Sequence, residues 1–258
     1  METKTFETLK QELDNLFQKF FEDMKIDEKT GIVKDTNKRF SGYPYIGEKY
    51  VEAPVKILFI PLDTGSDELY KDNTYHKFDG RIKQITPKKD AKHVFNPHIA
   101  GLYATTVCLL KEELESAKDC WVRLLDTKGE TTSTKINNLW KNLNEEQKNL
   151  LSYIAYDNRY KFVTIGRDSK SGGKDRTWLN KDKERELLLS EIDIFNPDII
   201  VFQGKTGIDN CGELELLIKN YNIFLSNHPS YWQKGANKLD YIEKIFDKKE
   251  GLTKKIAR

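Results

Sequence analysis

The chain has 258 residues, of which 38% are hydrophobic and 33% charged, so it has enough material for a sizeable core under a highly charged surface. Lys and Arg number 43 against 41 Asp and Glu, a formal charge of +2, so bulk charge gives no argument for nucleic acid. A local basic groove stays compatible with that balance, because steering follows the distribution of charge. Cys108, Cys120 and Cys211 form no Cys-x-x-Cys pair, which argues against a cysteine-built zinc or iron–sulfur site. An odd count without a framework reads as free thiols in a reducing cytoplasm. The N-terminus METKTFETLKQEL is too charged for a secretory signal, and no apolar run reaches bilayer-spanning length.

In chain order, Phe6, Leu9, Leu13, Leu16, Phe17, Phe20, Phe21 and Met24 recur at steps of three and four, predicting an amphipathic helix over residues 3–25. GIVKDTNKRFSGYPYIGEKYVEAP reads as an irregular lead-in. Four short apolar runs then look like strands buried on both faces: VKILFIP (Val55–Pro61), KFVTIG (Lys161–Gly166), DIIVFQG (Asp198–Gly204) and NIFLSN (Asn222–Asn227). Helical patterns separate or follow them. One starts at Asn96-Pro97, others lie in TKINNLWKNLNEEQKNLLSYIAYD and NKDKERELLLSEIDIF, and a last one is NKLDYIEKIFDKK. The expected architecture is a single α/β domain over 1–258, three layers deep, with a central four-stranded parallel sheet and a helical insertion at about 111–160. Right-handed crossovers put all four strand exits on one edge.

Those exits hold the chemistry-bearing residues. The first run leads into Asp63-Thr64-Gly65-Ser66, the second into Gly166-Arg167-Asp168-Ser169-Lys170, the third into Gln203-Gly204-Lys205-Thr206-Gly207, and the fourth into Asn227-His228-Pro229-Ser230-Tyr231-Trp232. Such an edge is the default ligand crevice of an open sheet. Asp63 reads equally well as a helix cap. QGKTG is not a triphosphate loop, since the glycine that pattern needs five residues before Gly204 is Ile199. A glycine-opened helix start there still offers backbone N–H groups to a phosphate. His93 and His98 read as capping or surface residues.

Taken together and in this order, the exits resemble the uracil-DNA glycosylase superfamily. PLDTG lies over that family's G-Q-D-P-Y-type motif, and HPSYW over its H-P-S-P-L motif. The resemblance covers Val55 to about Trp232. It implies that Asp63 activates water and that His228 faces the departing base. It implies that Gly204, Lys205, Thr206 and Ser230 grip DNA phosphates, and that Tyr231 and Trp232 fill the gap left by a flipped nucleotide. It implies DNA as partner, with no metal, cofactor or membrane.

The chemistry fits those residue types. Cleaving an N-glycosidic bond leaves an oxocarbenium-like sugar and an anionic base. A carboxylate favours the cation and holds the water, while a histidine donates a hydrogen bond to the base oxygen.

Two positions depart from the family. Its thymine-excluding tyrosine, two places after the aspartate, is Gly65 here. Its base-pairing asparagine on the second strand has no counterpart in FVTIGRDSK, where Gly166 or Arg167 takes the place. The expected activity is therefore glycosidic hydrolysis of a flipped, C5-modified pyrimidine, with Gly65, Gly166, Arg167 and Asp168 lining the base pocket. The alternative is a nucleic-acid-binding protein of the same fold without catalysis. A third reading is a metal-dependent nuclease or phosphatase using Asp63, Asp67 and Glu68.

Overall fold

The protein is described here from a computed structural model, which covers residues 4–62, 102, 106, 149–166, 178–203 and 221–226. Helix α1 (Phe6–Met24) forms where the three–four periodicity predicts it. Thr5 caps it, its hydroxyl accepting from Thr8 N at 3.1 Å, and Glu7 complements the positive end of the helix dipole. The helix stops at Lys25, which turns left-handed at φ 56°, and Ile26 N then donates back to Phe21 O at 2.9 Å. Leu9, Leu13, Phe17, Phe20 and Phe21 form the buried stripe.

The lead-in segment is ordered into the sheet system. It supplies β1 (Lys38–Phe40) and β2 (Tyr45–Ile46), two short strands that its glycines, proline and tyrosines had masked as irregular. Strand β3 (Ile57–Pro61) follows, buried along its whole length. Strands β4 (Ile154–Tyr156) and β5 (Phe162–Thr164) come next, then helix α2 (Lys181–Phe195), β6 (Ile199–Gln203) and β7 (Asn222–Ser226).

The main sheet has five strands in the order β2-β4-β3-β6-β7. Strands β4, β3, β6 and β7 run parallel, and β2 adds an antiparallel edge to β4. The architecture is therefore α/β with a mixed sheet, in place of the all-parallel four-stranded sheet expected from sequence. The second parallel strand also differs. The sequence predicts Lys161–Gly166 as that strand, whereas Phe162–Thr164 pairs antiparallel with β1 in a separate two-stranded sheet. Exposure explains the misreading: Phe162 and Val163 are buried, but Thr164 is half-buried and Ile165 is 36% exposed, unlike a strand covered on both faces. The true neighbour of β3, Ile154–Tyr156, falls within the stretch read as a helical insertion over 111–160. Its three residues are too few for periodicity to tell strand from helix. Residues 111–148 lie outside the described part, as does NKLDYIEKIFDKK, expected from sequence to be helical.

Helices α1 and α2 pack on one face of the sheet. Leu13, Phe17, Phe21, Leu188, Ile192 and Phe195 join Leu58, Ile60, Ala155, Ile200 and Phe202 in one core. Each Leu, Ile or Phe among them contributes roughly 1.5–3 kcal/mol by leaving water. The opposite face is buried as well, at Ile57, Phe59, Ile154, Ile199 and Val201. Helix α2 starts at Asn180, whose side chain accepts from Lys183 N at 3.1 Å, and ends at left-handed Asn196 before Pro197. Asp198 then pins β6 to β3, its carboxylate accepting from Lys56 N at 2.8 Å. Among the described residues, no helix is long and apolar enough to cross a membrane.

Candidate functional site

The strand order fixes where a site belongs. From β3 the chain passes to β4 on one side, whereas from β6 it passes to β7 on the other. The carboxyl ends of β3 and β6 are therefore the switch point of the sheet, where connections diverge and leave a crevice. Pro61 of β3 is level with Gln203 of β6, and Gln203 with Ser226 of β7. Ser226 stands two strand spacings from Pro61, about 10 Å. Gln203 is fully buried at this edge.

The exit of β4 runs along the exit of β3. Asp157 N donates to Phe59 O at 2.8 Å, Arg159 N to Pro61 O at 3.0 Å, and Tyr160 N to Leu62 O at 2.8 Å. The residues next to the β3 exit are thus Asp157, Asn158, Arg159 and Tyr160. None of these was singled out from sequence.

They are buried and polar. Asp157, Asn158 and Lys161 have no exposed surface. Asp157 Oδ1 accepts from its neighbour Asn158 N at 2.6 Å. Lys161 Nζ donates to both Asp157 oxygens, at 2.9 and 2.8 Å, and also pairs with Glu191 of α2. Asn158 Nδ2 donates to Ser41 O at 3.4 Å, and Ser41 N donates to Lys161 O at 2.7 Å. The side-chain oxygen of Asn158, Oδ1, is buried with no hydrogen-bond partner among the described residues. Gly42 permits this arrangement, since a Cβ there would lie 2.6 Å from Lys161 Cδ and 2.8 Å from Phe40 Cζ.

Two acids on α2 face the same cluster. Burial pushes the Glu191 carboxyl well above the usual range; the negative charge of Asp157 pushes the same way, and Lys161 opposes both. Glu184 is pushed up to about 7, chiefly by burial, although its Oε1 accepts from Leu179 N at 2.7 Å and Asn180 N at 3.0 Å. Close by, the Arg159 guanidinium lies 5.5 Å from the Trp178 ring and 5.7 Å from the Tyr160 ring, and the two rings are 4.6 Å apart.

Of the site residues expected from sequence, Gly166 alone is among those described. Its φ is 73°, and a Cβ there would meet nothing within 4 Å. It follows β5, whose strand partner is β1, so the premise that set it at an exit of the central sheet falls. Asp63, Gly65, Arg167, Asp168, Gly204, Lys205, Thr206, His228, Ser230, Tyr231 and Trp232 lie outside the described residues. So do Asp67 and Glu68 of the metal-dependent reading. In the chain, Asp63 comes directly after Leu62, Gly204 directly after Gln203, and His228 two residues after Ser226.

Sequence did carry a signal for part of the missed cluster. Glu184, Leu187, Leu188, Glu191, Ile192 and Phe195 share one face of α2, so two acids interrupt an apolar stripe. Acids placed there need buried partners. Comparison of the chain with family models and with curated proteins finds no match. Fold and site together define an α/β protein with a buried polar cluster at the exit of β4, beside the end of β3.

Proposed function

We propose that the chain is a DNA glycosylase of the uracil-DNA glycosylase type, hydrolysing the N-glycosidic bond of a flipped pyrimidine. In this reading Asp63 holds and activates the attacking water, and His228 donates to the base oxygen as negative charge collects there. Gly204, Lys205, Thr206 and Ser230 grip phosphates, and Tyr231 and Trp232 fill the vacated stack. The reaction uses no metal or cofactor.

One observation carries the reading. The strand beside β3 exits into Asp157-Asn158, so an asparagine stands two residues past the end of the second parallel strand, near the element on which the family resemblance calls for one. The stretch FVTIGRDSK belongs to β5, which pairs with β1 and not with β3. Asn158 offers a buried acceptor with no hydrogen-bond partner among the described residues, the kind of group that reads a base edge. An asparagine at this place supports catalysis over a non-catalytic binding protein of the same fold. The case for a base enlarged at C5 then rests on Gly65, with Arg167 and Asp168 as further candidates for contact.

Duplexes carrying uracil, thymine mismatches, hydroxymethylcytosine or glucosylated cytosine test the proposal through the appearance of abasic sites. Release from at least one duplex is expected, with Asp63→Asn reducing it by roughly 100-fold or more while DNA binding persists. Release undiminished in Asp63→Asn removes the assigned role, and no release from any duplex removes the activity.

A further inference from the structure

The ion cluster at the β4 exit is larger than a strand terminus needs. Three contacts converge on Asp157, and a second acid faces its partner. Its oxygens take both contacts from Lys161 Nζ, one takes the Asn158 backbone amide, and Glu191 of α2 stands against the same ammonium. Lys161 is tied back through its own carbonyl to Ser41 N, and Ser41 O holds the Asn158 side chain. The contacts close a ring, Ser41–Asn158–Asp157–Lys161–Ser41, with every member fully buried. Removing Lys161 would leave Asp157 as a buried anion without its counter-charge, and the anion would turn toward whatever donor or water it can reach. The Asn158 amide would then lose its fixed acceptor.

We propose that Lys161 is the positioning residue of this site: its ammonium, held between Asp157 and Glu191, orients Asp157, which fixes the Asp157–Asn158 peptide and so aims the Asn158 carboxamide. Lys161 touches no substrate. What Asn158 then contacts rests on the glycosylase reading above; the positioning itself does not. A site built this way acquires its precision from supporting contacts on rigid elements, here a parallel strand and a helix.

Lys161→Met keeps the aliphatic stem that passes Gly42 and removes the ammonium. Hydrogen exchange at the amides of Asn158 and Arg159, compared with β6 amides such as Val201, reads the positioning without any substrate. The expected result is a roughly tenfold or greater loss of protection at Asn158 with β6 unchanged. Unchanged protection at Asn158 overturns the proposal, as does an equal loss in β6.

On whichever duplex releases a base, Lys161→Met and Asn158→Ala each lower kcat/KM by roughly 10- to 100-fold. The double variant is no worse than Asn158→Ala, because both changes act through one group. Additive losses assign Lys161 to general stability and overturn the proposal. A protein that releases no base fails the function while the exchange result still decides the positioning. If Lys161→Met does not fold, Lys161→Gln, which keeps one donor toward Asp157, carries the same readouts.

Discussion

The two ends of β4 are equally buried and are held by opposite physics. At the start, Ile154 and Ala155 sit between β3 and β2, and the neighbouring core is Phe17, Phe21, Phe40, Tyr43 and Phe162. Phe40 is its hub, edge-on to Phe21 at 5.0 Å, Tyr43 at 5.4 Å and Phe162 at 5.7 Å. At the exit, a few residues later, Asp157, Lys161, Glu184 and Glu191 replace hydrocarbon with charge and hydrogen bonds. An apolar cluster loses energy in proportion to what is removed from it. An ionic cluster loses little or much according to whether the remaining charges still balance.

That contrast can be broken by measurement. In the apolar region, Phe40→Ala is expected to cost about 3–5 kcal/mol, read as a shift in denaturant midpoint. A loss under about 1 kcal/mol would mean the aromatic hub is not a unit of the core.

In the charged region, pH is the lever. Glu184 titrates near 7 in the folded protein against 4.5 for the free group, so the folded state holds the proton more tightly. Stability should therefore be fullest below about pH 4.5 and fall as pH rises toward 7, by on the order of 3 kcal/mol from this group. The raised Glu191 acts in the same direction. Glu184→Gln keeps an acceptor for the Leu179 and Asn180 amides and should flatten that part of the slope. A slope unaltered by the substitution would show that other groups set it.

The smallest effect is the sharpest discriminator. If Glu191 is already neutral, Glu191→Gln replaces one uncharged donor–acceptor with another and changes stability by less than about 1 kcal/mol at neutral pH. A loss of about 3 kcal/mol or more would make Glu191 an anion and Lys161 its necessary partner.

Much of the scaffold was legible in the residues themselves. The α1 stripe, the runs leading to Pro61, Gln203 and Ser226, and the Asn180 cap of α2 announce themselves by period, by β-branched content and by capping chemistry. What escaped was pairing. Phe162–Thr164 and Ile154–Tyr156 are both three-residue apolar strands, and local sequence does not say which lies against β3. That choice is made by the long-range partner: β1 takes one, β2 and β3 take the other. The error moved the second exit from Asp157 to Gly166 and hid an asparagine whose absence had counted against the resemblance. The buried acids on α2 were visible as interruptions of its stripe, but their partners lie on another element, beyond reach of helical periodicity.

The partnering of the first strands has a consequence for how the chain comes to its shape. Lys38 bonds Thr164 across 126 positions, and Tyr45 bonds Leu151 across 106. On the ribosome, β1 and β2 emerge long before either mate exists, so the amino-terminal quarter must wait without a template while most of the polypeptide is still being made. Closing such distant pairs is slow, and the unpaired segments are open to wrong associations in the interval. Synthesis rate and chaperone access during that delay bear on how much of the chain reaches its folded form.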